Sequence, residues 1–165
     1  MASKFFAIDA NTLISSYRKY YSFDFAPAFW DQLIEKGGSG IILVDKIRDE
    51  IYRNEDLLSE WLKANETSFM VKTSEDNKVI ECYSKIITAV NQNEKYKASA
   101  KSAFASDPDS WLCAHALAYK YVVVTEETYD PNRRNKVKIP NVCREFDIEY
   151  IDLVGFIREI GIKFS

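Results

Sequence analysis

Residues 5–9 read Phe-Phe-Ala-Ile-Asp, a short apolar run that ends in a carboxylate. Two further runs, residues 41–44 (Ile-Ile-Leu-Val) and 121–125 (Tyr-Val-Val-Val-Thr), have the composition of strands that are buried on both faces. Residues 148–151 are a weaker fourth example. Because helical patterns separate these runs, the sequence predicts an α/β fold, a three-layer α/β/α sandwich with a central, mainly parallel sheet.

Apolar residues at helical spacing predict four helices between the strands. They begin near Pro27 and near Leu57, and cover residues 79–90 and 109–119. Ser74 is the predicted N-cap of the third helix, and the glycine cluster at residues 37–40 predicts the end of the first. Since the 165 residues contain no internal repeat and no low-complexity linker, we expect one domain over residues 1–165.

The ionisable side chains limit the chemistry of the protein. There are 25 acidic and 22 basic side chains, a net charge of −3, and a single histidine, His115, which nearly excludes a two-histidine metal site. The three cysteines form no Cys-x-x-Cys pair, which predicts a reducing cytoplasmic location. No apolar run approaches the roughly 18 residues that cross a bilayer, so no membrane partner is expected. The net negative charge argues, at first, against a nucleic acid partner.

Several polar residues follow the predicted strands at the carboxyl edge of the sheet, where such folds bind their ligands. Asp9 comes directly after the first strand, and Asn11 lies two residues further on. Thr125, Glu126 and Glu127 end the 121–125 strand in the same way. Because carboxyl ends of parallel strands share one edge, these side chains are expected to lie close together.

Two helices are predicted to bring further acids to this edge. Asp45 is the predicted cap of a helix with Ile47 on its buried face. At about 100° per residue, Glu50 lies about 60° from Ile47, whereas Asp49 points about 160° away. Glu50 is therefore the better candidate for an acid that faces the site.

The helix that contains Asp109 can be treated in the same way. Asp109 lies within about 60° of Leu112 and Ala116, so it shares the face that points to the core. His115 lies about 120° away and is predicted to be a surface or packing residue. Asp107, which precedes a proline, is predicted to cap this helix, although a ligand role is the alternative.

Converging carboxylates need a cation. Two of them about 4 Å apart repel each other by roughly 4 kcal/mol at an effective dielectric constant near 20. A site with oxygen ligands only fits Mg²⁺ or Mn²⁺ rather than Zn²⁺. One or two such ions support the hydrolysis of phosphodiester bonds by activating a water molecule.

These residues resemble the PIN-domain ribonucleases, in particular the VapC-like toxins of prokaryotic toxin–antitoxin pairs. The matching segments, in chain order, are residues 6–11, 44–51, 109–116 and 122–127. The chain is most similar to a branch of undefined function with Trp-Leu after the third acid, then Val-Val-Thr-Glu-Glu, then a Lys-rich segment that ends in Ile-Pro and Val-Cys. The last of these pieces is residues 136–143 here.

The resemblance implies a PIN-like fold and a Mg²⁺- or Mn²⁺-dependent endoribonuclease, a hydrolase that is the toxin of a type II pair and has a cognate antitoxin. It implies that the catalytic and metal-binding residues are Asp9, Glu50, Asp109 and Glu127. Asn11 and Thr125 would hydrogen-bond the ligands. Glu126 is the alternative to Glu127 as the fourth acid, and Asp107 is a second acid near the third position.

The segment 129–138 carries four positive charges against one negative charge. Its cations are Arg133, Arg134, Lys136 and Lys138. They are predicted to bind RNA phosphates, with a solvated loop as the alternative. The aromatic residues between 17 and 25 favour core packing or a partner interface over base stacking. In the resembling toxins, such a region serves dimerisation or antitoxin binding.

Two other functions remain open. A catalytically silent PIN-like module would bind RNA or protein without cleavage. A phospho-acceptor receiver domain also has acids at a sheet edge, but the adjacent acidic pair expected after its first strand is missing here. Removing the four predicted ligands from the 25 acidic side chains leaves 21 against 22 basic ones, so the acidic surplus can reflect a metal site.

Overall fold

Five parallel strands form one sheet in the computed structural model, which describes residues 3–165. The strands are β1 (Phe6–Ile8), β2 (Ile41–Val44), β3 (Met70–Lys72), β4 (Val122–Val124) and β5 (Tyr150–Ile151). Their order across the sheet is β3-β2-β1-β4-β5. Phe6 lies opposite Ile41 on one side and Val122 on the other, so β1 is the central strand. The predicted parallel sheet is confirmed.

Helices connect these strands and cover both faces of the sheet. They are α1 (Ala10–Ser15), α2 (Pro27–Gly40), α3 (Asp45–Arg53), α4 (Leu57–Asn65), α5 (Asn77–Gln92), α6 (Ala98–Ser106), α7 (Pro108–Tyr119), α8 (Ile139–Glu145) and α9 (Leu153–Ile160). A π-helical turn, Ser16–Tyr20, follows α1, and a 3₁₀ turn, Glu66–Ser68, precedes β3. Between residues 3 and 165, no helix combines the length and the apolar character that crossing a membrane requires.

The core explains the three layers. Every residue of β1, β2 and β4 is buried, as expected of strands with helices on both faces. On one face, Phe156 of α9 packs edge-on against Phe6, with ring centroids 5.3 Å apart. On the other face, α7 is buried along most of its length and packs closely against α5 and α3.

The structure corrects two predicted helix caps. Asp76, not Ser74, caps α5, because its carboxylate accepts two backbone N–H groups of the first turn. Val44 occupies the N-cap position of α3, and Asp45 is the first helical residue. Ser74 is instead a partner of Asp45, since its backbone N–H and its hydroxyl donate to that carboxylate at 2.8 and 2.5 Å.

Other differences from the predictions concern one additional strand and the bounds of two elements. β3 was not predicted, since its three residues lie at the edge of the sheet and Val71 is exposed. The weak fourth run forms a strand only over Tyr150–Ile151. Helix α2 runs through the glycine cluster and ends at Gly40. Gly37 lies against the backbone of Ser68, so its missing side chain allows α2 to approach the 3₁₀ turn.

Candidate active site

Asp9 is the most deeply buried acid of the candidate site. It follows β1, and only 1% of its surface is exposed. One carboxylate oxygen accepts the backbone N–H of Thr12 at 2.7 Å, which caps α1. The other accepts the hydroxyl of Thr125 at 2.7 Å. Burial raises the pKa of Asp9 above its usual value, an effect that these hydrogen bonds oppose and the charge of Glu127 reinforces.

Thr125 joins the two central strands at this edge. It follows β4, is buried, and donates its hydroxyl proton to Asp9. The same oxygen accepts the backbone N–H of Glu127 at 3.1 Å. Thr125 therefore fixes the position of Asp9 and the direction of the chain that leads to Glu127. Asn11, by contrast, is exposed, and no side-chain hydrogen bond within residues 3–165 involves it.

The N-terminus of α7 brings Asp107 and Asp109 to the site. Asp107 caps the helix by accepting the backbone N–H of Asp109 at 2.9 Å, with Pro108 as the first helical residue. This is the predicted cap. Burial, followed by the charges of Asp107, Asp9 and other site carboxylates, raises the pKa of Asp109 to about 8. Asp109 is thus surrounded by other negative groups in a poorly solvated position.

Helix α3 contributes Glu50, as the helical angle predicted. Burial raises the pKa of Glu50, and the charges of Asp107 and Asp9 raise it further while Arg53 opposes them. Asp49 points away from the site, because its carboxylate forms an ion pair with Arg48 at 3.0 Å and is about half exposed. A single residue along α3, about 100° of rotation, therefore separates an acid that faces the cluster from one that faces solvent.

The two glutamates after β4 point in different directions. One oxygen of Glu127 accepts the backbone N–H of Ile139 at 3.0 Å, and the other pairs with Lys136 at 3.3 Å. Its charge also reaches Asp109, whose pKa it helps to raise. Glu126 is exposed and accepts the backbone N–H of Leu153 at 3.2 Å, at the start of α9. Of the pair, Glu127 lies with the other acids.

A buried polar network, which the sequence did not reveal, lies beside these acids. Ser74 donates its hydroxyl proton to Asp45 and lies 3.0 Å from Nε2 of His115. Burial opposes the ionisation of Asp45, but hydrogen bonds from Ser74 outweigh it and lower the pKa. Burial lowers the pKa of His115 to about 4, which favours a neutral ring at pH 7. Because the Ser74 hydroxyl has one proton and donates it to Asp45, the contact with His115 requires the tautomer in which Nε2–H donates to Ser74.

This network has a simple structural role. Asp45 begins α3 and His115 lies on α7, so Ser74 connects the helix that carries Glu50 with the helix that carries Asp109. The prediction that His115 is a surface or packing residue is resolved in favour of packing, since 1% of its surface is exposed.

Comparison with known families identifies the chain. Residues 6–164 match the sequence model of a family described as "Domain of unknown function (DUF4411)". The protein belongs to this family. A search of curated proteins found no match.

The DUF4411 structure is also similar to a chain in the "Crystal structure of VapBC2 from Rickettsia felis bound to a DNA fragment from their promoter". The TM-score is 0.56 at 12% sequence identity, over 90% of this chain and 98% of the matched chain. At this identity the likeness shows the fold. It confirms the predicted PIN-like α/β architecture.

The acids of the DUF4411 protein fit a divalent cation in their chemistry. They offer carboxylate oxygens only, which suits Mg²⁺ or Mn²⁺. Burial, and then the negative charge of neighbouring carboxylates, raise the pKa of Asp109 and of Glu50, and a cation would neutralise that charge. Within residues 3–165, however, no three His, Cys, Asp or Glu side chains are arranged to hold a metal ion. The oxygens of Asp9 and Glu127 are bonded to protein donors instead.

The basic segment of this DUF4411 protein lies beside the acids. It connects β4 with α8, and its cations are Arg133, Arg134, Lys136 and Lys138. Lys136 reaches Glu127, so the basic segment and the acidic cluster are in direct contact. Lys138 is half-buried, with its ammonium 3.5 Å from the hydroxyl of Thr128, whereas the other three side chains are exposed.

Proposed function

We propose that this protein is a Mg²⁺- or Mn²⁺-dependent endoribonuclease and the toxin of a type II toxin–antitoxin pair. The observation that supports this function is the crowding of carboxylates at the carboxyl edge of the sheet. Burial, and then the charges of these neighbours, raise the pKa of Asp109 to about 8. Keeping such groups together costs stability, and functional sites are where proteins accept that cost.

The proposed ligands of one or two cations are Asp9, Glu50, Asp109 and Glu127. When bound, the cation would activate a water molecule and neutralise charge that develops on the phosphate. Thr125 holds the Asp9 carboxylate in place, and Asp107 fixes the start of the helix that carries Asp109. Arg133 and Arg134 are proposed to bind the RNA phosphates next to the scissile bond.

Glu127 has to change partners in this proposal. In the structure it pairs with Lys136 and accepts a backbone N–H of α8. Binding of a cation would replace the ammonium of Lys136 as the positive neighbour of Glu127. Lys136 is about half exposed, so its long side chain can turn toward a phosphate without moving the backbone.

The proposed protein partner is a cognate antitoxin, by analogy with the VapBC2 complex. The aromatic region after α1 is the proposed contact for the antitoxin or for a second copy of the chain. Tyr17, Tyr21 and Phe23 pack on the core there, whereas Tyr20 and Phe25 are 50% and 67% exposed. A cytoplasmic location is part of this proposal, and the buried cysteines are free thiols.

The experiment combines thermal melting with RNA cleavage. Mn²⁺ at about 100 times its Kd is expected to raise the Tm of EDTA-treated protein by about 5 to 10 °C. Cleavage of total RNA is expected with Mn²⁺, and Asp9→Asn should abolish it. The matched control is Asp49→Asn, which removes an acid that points away from the site. The proposal is wrong if Mn²⁺ neither raises the Tm nor supports cleavage that depends on Asp9.

A second candidate is a PIN-like module that binds RNA or protein without cleaving it. The observation in its favour is that the Glu127 carboxylate is fully engaged by Ile139 and Lys136. In that case RNA binding would be unchanged by EDTA, and no divalent metal at any concentration would produce cleavage. The cleavage assay, together with RNA binding measured with and without EDTA, therefore separates the candidates.

A further inference from the structure

A second group of cations lies next to the basic segment, although it comes from a distant part of the sequence. The connection between α5 and α6 and the first turns of α6 carry Lys95, Lys97 and Lys101. The composite basic surface is defined here as these three lysines with Arg133, Arg134, Lys136 and Lys138. Since the two segments lie far apart in the chain, the composition of either segment does not reveal the surface.

Two hydrogen bonds place the segments side by side. The backbone N–H of Lys97 donates to the carbonyl oxygen of Arg134 at 2.9 Å. The ammonium of Lys95 donates to the carbonyl oxygen of Pro131 at 3.2 Å. The backbones of the two segments are therefore adjacent. Lys97, Arg133, Arg134 and Lys136 are exposed there, and Lys95, Lys101 and Lys138 are half-buried.

The backbone of both segments is held in place by hydrogen bonds and by packing on the core. Asn141 of α8 accepts the backbone N–H of Asp130 at 3.1 Å and donates to its carbonyl oxygen at 2.7 Å. Tyr96, between two of the lysines, is buried in the core with 7% of its surface exposed. Because both segments are anchored, the backbone that carries the positive groups does not have to be ordered when a ligand binds, which lowers the entropic cost of binding.

Charge on this surface is poorly compensated. Residues 93–101 and 129–138 contain seven cations and only two acids, Glu94 and Asp130. Of the seven, Lys136 alone takes part in an ion pair with any carboxylate between residues 3 and 165. Such a concentration of like charge in a protein of net charge −3 favours a polyanion as the ligand.

We propose that the composite basic surface binds the phosphate backbone of single-stranded RNA and leads it to the carboxylate site, a role that rests on the proposed function. Lys136 contacts Glu127, so a strand that follows the surface arrives at the acids. An acidic protein is the less suitable ligand, because Tyr129 is the one large apolar side chain exposed in these two segments and a protein interface needs an apolar centre. Phosphate binding requires positive charge alone.

The test is the salt dependence of RNA binding by a triple variant, Lys95→Gln, Lys97→Gln and Lys101→Gln. The probe is a short fluorescein-labelled single-stranded RNA, measured by anisotropy in EDTA between about 50 and 200 mM salt. Loss of three phosphate contacts is expected to reduce the slope of log K against log salt by about 2. The matched control, Lys19→Gln, Lys63→Gln and Lys163→Gln, removes three exposed lysines elsewhere and should keep the slope.

A single charge-reversal variant tests whether weaker RNA binding comes from lost charge rather than from misfolding. Lys97→Glu alone keeps the backbone hydrogen bond to Arg134 and is expected to weaken RNA binding while the Tm stays that of the unaltered protein. The inference is overturned if both variants bind RNA with the affinity and slope of the control. It is also overturned if polyglutamate competes as well as RNA at equal charge.

Failure of the proposed function gives a different result. Binding in EDTA involves no cleavage. If the protein binds RNA through the lysines but never cleaves it, the inference about the basic surface stands and the proposed nuclease function is wrong. If the protein cleaves RNA but the triple variant keeps the salt slope of the unaltered protein, the nuclease function stands and the inference about the basic surface is wrong.

Discussion

Replacing Asp109 with asparagine is expected to stabilise the metal-free protein. Burial and the neighbouring carboxylates raise the pKa of this group from 3.8 to about 8. At pH 7 the folded protein therefore keeps a proton that the unfolded chain releases. At 1.36 kcal/mol per pKa unit, the penalty at pH 7 is about 4 kcal/mol. Asparagine is nearly isosteric and uncharged, so Asp109→Asn should recover much of this free energy.

The direction of the pH dependence follows from the raised pKa. Below pH 3.8 Asp109 is protonated in both states, and its favourable contribution is fully present. As the pH rises, that contribution falls, and it is lost when the pH passes about 8. The advantage of Asp109→Asn over the unaltered protein should therefore grow from about 2 kcal/mol at pH 5 to about 4 kcal/mol at pH 7.

Urea unfolding in EDTA at these pH values measures the difference. The control is Asp49→Asn, in which an exposed acid of α3 is neutralised and the free energy of unfolding is expected to change by less than about 0.5 kcal/mol. Added Mn²⁺ should stabilise the unaltered protein and leave Asp109→Asn unchanged. If Asp109→Asn is no more stable at pH 7, or if its advantage does not shrink toward pH 5, burial and the neighbouring carboxylates do not raise the pKa of Asp109 as described.

Two further predictions concern stability. Burial lowers the pKa of His115 from 6.5 to about 4, so the unfolded chain binds a proton that the folded protein does not as the pH falls across that range. The free energy of unfolding should therefore decrease by about 3 kcal/mol. His115→Gln should remove this loss in urea unfolding, and an equal loss in both proteins would contradict it. Gly37→Ala should cost about 1 to 3 kcal/mol, because the added Cβ overlaps the Ser68 carbonyl oxygen. Gly38→Ala, where the added Cβ would lie 3.7 Å from the Ser68 carbonyl oxygen in ordinary van der Waals contact, should instead stabilise α2 by up to about 1 kcal/mol. Equal Tm values for the two variants would refute the packing argument.

The centre of the fold and the position of the acids could be predicted because they depend on local patterns. Buried parallel strands are continuous apolar runs, so β1 and β4 were evident, and the residue after each had to lie at the carboxyl edge. Helical geometry then separated Glu50 from Asp49, since one residue along α3 changes the direction by about 100°. These arguments need no knowledge of distant contacts.

The remaining features depend on contacts between distant segments. Ser74 has the side chain of a typical helix cap, but its hydroxyl donates to Asp45 instead. Asp45 lies 29 residues away in the chain, so the local sequence does not show this contact. Glu127 and Glu126 point in different directions because one accepts the backbone N–H of Ile139 and the other that of Leu153. No local sequence pattern shows where these two N–H groups lie. β3 is a short edge strand with little burial, so it carries almost no hydrophobic pattern.

The contact between Glu127 and Lys136 couples the two halves of the proposed site. Without a cation, each ionised carboxylate of the site would repel an RNA phosphate about 4 Å away by roughly 4 kcal/mol, which opposes the attraction of the basic surface. A bound cation would remove that repulsion and also free Lys136 from Glu127, which makes a further positive group available to the phosphate. Binding of metal and binding of RNA should therefore strengthen each other, and by linkage the effect is equal in both directions.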